Sequence, residues 1–161
     1  MPQFRTGTII VLNPMTNSFV RRIVLACNIQ TAFRLFTDDD FWRNSKLFGE
    51  IRWNGPLWAK GSVRMMEVRY PRPHWREQRV QNVEPEKSIA VLTHGLHYTT
   101  QTNLHFKATH SEETVVTWNV EIAGPSPDKA VDVEQLLELF YVAMTELVQD
   151  SLAKIKKETG A

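Results

Sequence analysis

A single cysteine, Cys27, is all the thiol in this 161-residue chain, which excludes an internal disulfide and any Cys-rich zinc site. No Asn-x-Ser/Thr glycosylation acceptor occurs, and the early apolar run Ile9-Ile10-Val11-Leu12 stops at Asn13-Pro14. That run is too short for a signal-peptide core or a membrane span, so no membrane insertion and a reducing, cytoplasmic location are the expectations. Neither charge is in excess: 19 basic residues face 18 acidic ones for a net charge of +1. No global field therefore recommends nucleic acid or an anionic membrane as partner. Glycine-rich Gly-x-Gly-x-x-Gly and Walker loops are absent as well, which removes the usual cradle for nucleotide phosphates. Internal repeats and low-complexity tracts are also missing.

What is present is bulk. Hydrophobic residues make up 42% of the chain and aromatic ones 10%, enough for one domain with one core. The run from Ser18 to Cys27 is β-branched and apolar without helical period and reads as a strand. Asn28 then suits an N-cap, and Ile29, Ala32, Phe33 and Phe36 follow at the spacing of a short amphipathic helix. Thr37-Asp38-Asp39-Asp40 signals a second short helix over Phe41-Trp42. From Leu47 to Ile122, turn chemistry at Asn54-Gly55-Pro56, Lys60-Gly61, Pro71-Arg72-Pro73, Glu84-Pro85, Gly95 and His110-Ser111 divides strand-like runs. That spacing suits an antiparallel meander. Val116, Trp118, Val120 and Ile122 share one face of a strand, as do Thr100, Thr102, Leu104 and Phe106. After Gly124-Pro125 the period changes once more. Val133, Leu136, Leu137, Phe140, Met144, Leu147, Val148 and Ile155 form the stripe of a long helix from near Asp128 to near Lys157, with Ser126 as N-cap and Pro127 in its first turn. Its stripe is wide and lacks paired flanking charges, which favours a curved sheet over a coiled coil as the surface it packs on.

Thr37-Asp38-Asp39-Asp40-Phe41-Trp42, Trp53-Asn54-Gly55-Pro56-Leu57-Trp58 leading to Gly61, Val83-Glu84-Pro85 and the terminal helix, taken in this order, resemble the SRPBCC superfamily, the START and pollen-allergen-like group. Within it the chain looks most like bacterial polyketide cyclase/dehydrase-like proteins. The resemblance covers residues 18–157, leaving 1–17 as an N-terminal arm or extra strand and 158–161 as a tail. It implies an α+β helix-grip fold: a curved antiparallel sheet of about seven strands around the long C-terminal helix, two short helices after the first strand, and an apolar cavity between sheet and helix. Phe36, Phe106, Trp118, Phe140 and Met144 are the bulky residues on the faces expected to line it.

The polar candidates each have a plain alternative. His94 and His97 flank Gly95-Leu96, but residues three apart on a strand face opposite ways and no third ligand is nearby, so no metal is expected. His94 and Tyr98 serve either as hairpin residues or as polar groups of a pocket, and Gly95 would permit an inward bend at His94. Trp75, Glu77 and Arg79 alternate with His74, Arg76 and Gln78. Charged strand residues ordinarily face solvent, yet an inward Arg76 would hold a carboxylate or enolate oxygen with its planar fork. Glu67 has the same two readings, surface carboxylate or general base. Asp38 to Asp40 read as capping residues rather than a calcium loop. Cys27 reads as a small buried hydrophobe without a catalytic histidine partner, and Ser126 has no nucleophile-elbow context. Trp53, Trp58, Trp75 and Trp118 either wall a pocket or simply pack.

Three functions are consistent with these residues. The first is binding of a small hydrophobic ligand, lipid-, sterol- or polyketide-like. The second is a cyclase/dehydrase-type enzyme with Arg76 as oxyanion holder, His94 as acid or base and Tyr98 as donor. The third is a chaperone-activator-like interaction module. No cofactor is called for, and a homodimer stays open beside the small ligand as a partner.

Overall fold

The computed structural model describes residues 18–69, 72–95, 98–122 and 133–159. Seven strands form one antiparallel sheet: β1 (Ser18–Leu25), β2 (Phe48–Asn54), β3 (Val63–Val68), β4 (His74–Glu84), β5 (Ser88–His94), β6 (Thr99–His110) and β7 (Glu113–Ile122), in the order β1-β7-β6-β5-β4-β3-β2. Each neighbour from β2 to β7 follows in sequence, as the turn signals require, and only β1 crosses to pair with β7. The period-two pattern sets the inward face. Thr114, Val116, Trp118 and Val120 are buried on β7, while Phe19, Ile23 and Leu25 are buried on β1. Phe19 meets Trp118 edge-on at 5.6 Å.

Helix α1 (Ile29–Thr37) starts where Asn28 Oδ1 accepts the Thr31 N–H at 2.9 Å, and it buries Ala32, Leu35 and Phe36. The second short helix is a single 3-10 turn, Asp39–Phe41. Asp38 caps it by accepting the Asp40 N–H at 3.0 Å, and Trp42 ends it, its indole N–H donating to the Leu35 carbonyl at 2.7 Å. One turn suffices because the indole already ties the segment back onto α1.

Helix α2 (Val133–Glu158) is about 39 Å long at 1.5 Å per residue. The expected start near Asp128, the Ser126 cap, Pro127 and the arm 1–17 lie outside the described residues. Leu137, Met144, Val148 and Leu152 are its buried apolar residues. The surface they meet is the sheet of the same chain: Tyr141 stacks on Trp118 at 6.1 Å and 10°, and Phe140 lies 6.0 Å from Phe48. Arg21 of β1 reaches Glu138 at 2.7 Å, fixing the helix along the first strand. Among the described residues no helix is long and apolar enough to cross a membrane.

Candidate ligand-binding cavity

Between the inward face of the sheet and α2 lies a cavity of about 90 Å³. A single water needs about 10–15 Å³ on that scale, so there is room for a compact ring system. Each wall follows from strand alternation or the helical stripe. Ile89, Val91 and Thr93 come from β5, Thr100, Thr102 and Leu104 from β6, Trp118 and Val120 from β7, and Leu137, Phe140 and Met144 from α2. Phe36 of α1 and Trp58 of the loop after β2 contribute to the wall as well.

Of the expected apolar lining, Phe36, Trp118, Phe140 and Met144 are in the wall. Phe106 is buried beside it, covered by α1, with its ring 5.1 Å from Phe33 and 5.6 Å from Phe36. Of the polar candidates, Arg76 and Tyr98 are in the wall and His94 is not. Inward positions on β5 are Ile89, Val91 and Thr93, so alternation sends His94 outward, where its Nδ1 lies 3.2 Å from Thr99 Oγ1. Gly95 does not reverse this; its N–H bonds to the Tyr98 carbonyl at 3.0 Å and closes the hairpin. His97 lies outside the described residues. Glu67 points away from the cavity and accepts the Glu50 N–H at 3.2 Å. Trp75 is exposed, whereas Arg76 and Gln78 take the inward face of β4.

The polar end of the cavity is ordered by a chain of hydrogen bonds. Arg64 donates to Asp39 Oδ1 at 2.8 Å and through two nitrogens to Gln78 Oε1 at 2.6 and 3.1 Å. Gln78 in turn donates to Thr93 Oγ1 at 3.2 Å, and the Trp53 indole N–H reaches the second Asp39 oxygen at 2.6 Å. The Arg64 guanidinium also lies over the Trp58 ring, 4.5 Å from its centroid. Burial pushes Arg64 below its ordinary pKa and Asp39 opposes that shift; a guanidinium stays charged either way.

Arg76 is placed differently. Its guanidinium carbon lies 5.2 Å from the Phe140 centroid, its Nε is buried without a hydrogen-bond partner, and the phenol of Tyr98 is the polar side chain that acts on its charge. Desolvation lowers its pKa, and Tyr98 works in the opposite direction. Arg64 and its anchor Asp39 are the site residues that sequence reasoning missed. The available signal was the alternation Arg64, Met66, Val68, which puts an arginine on an apolar face in need of an anion. Among the described residues no group of His, Cys, Asp and Glu side chains is arranged to hold a metal ion.

No protein-family model and no curated protein sequence matches the chain. Solved structures do resemble it. A norcoclaurine synthase point mutant from Thalictrum flavum, in complex with a transition-state analogue, superposes with a TM-score of 0.66 at 13% identity, covering 86% of this chain and 95% of that one. A START superfamily protein from Mycobacterium smegmatis gives 0.71 at 9% identity over 86% and 98% of the two chains. The major latex-like protein of Panax ginseng gives 0.69 at 12% identity over 83% and 95%. At these identities the likeness is one of fold. With the seven-stranded antiparallel sheet and long C-terminal helix already described, it establishes that the chain has the helix-grip architecture its sequence resemblance implies.

Proposed function

We propose that the protein binds a small, predominantly apolar molecule in the cavity between sheet and α2. The observation that carries this reading is the wall itself. Aromatic and aliphatic side chains dominate it, and a few hydrogen-bonding groups gather on β3, β4 and β5, the composition that small-molecule sites generally have. Among lipid-, sterol- and polyketide-like ligands, a cavity of this volume favours a compact one. Native mass spectrometry of protein purified from its own host should reveal a retained small molecule. The neutral dye N-phenyl-1-naphthylamine should brighten on binding and be displaced by that molecule. No retained mass and no dye signal would sink the reading.

A cyclase/dehydrase-type enzyme is the second reading, favoured by Arg76 and Tyr98, which both line the cavity. Both can donate to a carbonyl or enolate oxygen of a bound substrate. Proton abstraction also needs an acceptor, and with His94 outside, the described wall offers no imidazole or carboxylate. Binding therefore stands first. Exchange of the methyl hydrogens of 2-acetylnaphthalene for deuterium, faster with protein than without and lost in Arg76→Met, would favour the enzyme instead. A chaperone-activator-like role is the third reading; the large exposed apolar residues are Val20 and Val24 on β1, Leu139 and Val142 on α2, Leu57 in the loop after β2 and Trp75 on β4.

A further inference from the structure

Two arginines line the cavity, and among the described residues one of them, Arg64, meets a carboxylate and the other does not. Arg64 has the Asp39 carboxylate at 2.8 Å, the Gln78 amide oxygen and the Trp58 ring. Arg76 has an aromatic ring and a tyrosine. Among the described residues no carboxylate lines the cavity and Arg76 forms no ion pair. A guanidinium in such surroundings is costly when uncompensated, and a helix-grip wall does not require one: the same inward row carries methionine on β3 and valine or isoleucine on β5. Arg76 lines the cavity wall, and its Nε is an unused donor.

We propose that the ligand is a compact apolar molecule bearing one carboxylate, with Arg76 receiving the charge and Trp118, Phe140 and Met144 covering the carbon skeleton. This rests on the ligand-binding reading above and narrows it. Among the described residues a single negative charge is what the cavity lacks, since Arg64 is already matched by Asp39. A phosphate dianion would leave net negative charge in an apolar enclosure, and an ammonium would face an unopposed guanidinium. A carboxylate fits the planar fork with two parallel hydrogen bonds, and Tyr98, adjacent to Arg76, can donate to the same oxygens.

The test compares 2-naphthoate with its neutral isostere 2-naphthamide by calorimetric titration of the full chain. The carboxylate is expected to bind at least fivefold tighter than the amide. Arg76→Met should erase that preference, weakening the carboxylate at least fivefold more than the amide. Arg76→Lys, which keeps the charge but not the fork, should retain part of it. A wild-type ratio below fivefold overturns the inference whether or not the methionine variant folds, and so does a preference that survives in Arg76→Met. If N-phenyl-1-naphthylamine binds but naphthoate shows no advantage, the carboxylate inference falls alone. If none of the three binds, the ligand-binding reading falls and takes the inference with it.

Discussion

Asp39 and Arg64, 25 positions apart in the chain, meet at 2.8 Å with their side chains 10% and 11% exposed. The aspartate belongs to a 3-10 turn and the arginine to a strand, so this one contact ties the segment after α1 to the sheet and closes one side of the cavity. It holds Trp53 and Gln78 in register as well.

Replacing Asp39 by alanine is expected to lower stability by about 3 kcal/mol, because it strands a buried guanidinium rather than merely removing one bond. Asp39→Ala combined with Arg64→Met should recover much of the loss. Urea denaturation of the single and double variants measures both; a double variant no more stable than Asp39→Ala would show that packing, not charge, dominates.

Met144 is buried on α2 and forms part of the cavity wall. Truncation to alanine should cost about 2 kcal/mol, the low end for a buried methionine, because the side chain borders space that is already empty. The enlarged cavity should accept bulkier rings, and titration with a three-ring aromatic carboxylate should show tighter binding to Met144→Ala than to the parent.

Burial pushes the Cys27 thiol above its ordinary pKa. With the folded pKa above the unfolded one, the native state holds the proton more firmly. This contribution to stability is fully present below the unfolded thiol value, near ~8.5, and is lost as pH rises from there through the folded value. Cys27 should react with Ellman's reagent at pH 8 more slowly than in urea by at least ~100-fold, since reaction waits on opening of the structure. Comparable rates in the two conditions would contradict the burial.

Much of the architecture was legible because burial and secondary-structure period coincide. The inward rows of β6 and β7 alternate as their residue types do, and α2 shows its stripe in sequence. The site was legible only in part. Alternation puts Arg76 and Gln78 on one face but does not say which face is inward; the sheet's curvature around α2 settles that. Gly95 leaves room for an inward bend at His94, yet the register of Ile89, Val91 and Thr93 fixes its direction outward. Phe106 has the inward orientation expected of it, and only the position of α1 decides that it packs under Phe33 and Phe36 instead of reaching the cavity. Asp39 shows its capping neighbourhood locally, but its partner lies across the fold and has no local signature.

The pairing of β1 with β7, Ser18 opposite Glu121 and Leu25 opposite Thr114, joins segments at nearly opposite ends of the described chain. Every other strand pair joins sequence neighbours. Loop-closure entropy makes such a distant pairing the slow step of assembly, so the β2–β7 meander should zip first, with β1 docking afterwards. Trp118 needs Phe19 on one side and Tyr141 on the other, and α2 is tethered to β1 through Arg21 and Glu138. The enclosed space would then be completed near the end of folding, and a molecule that fits it would act chiefly by slowing unfolding rather than by speeding collapse.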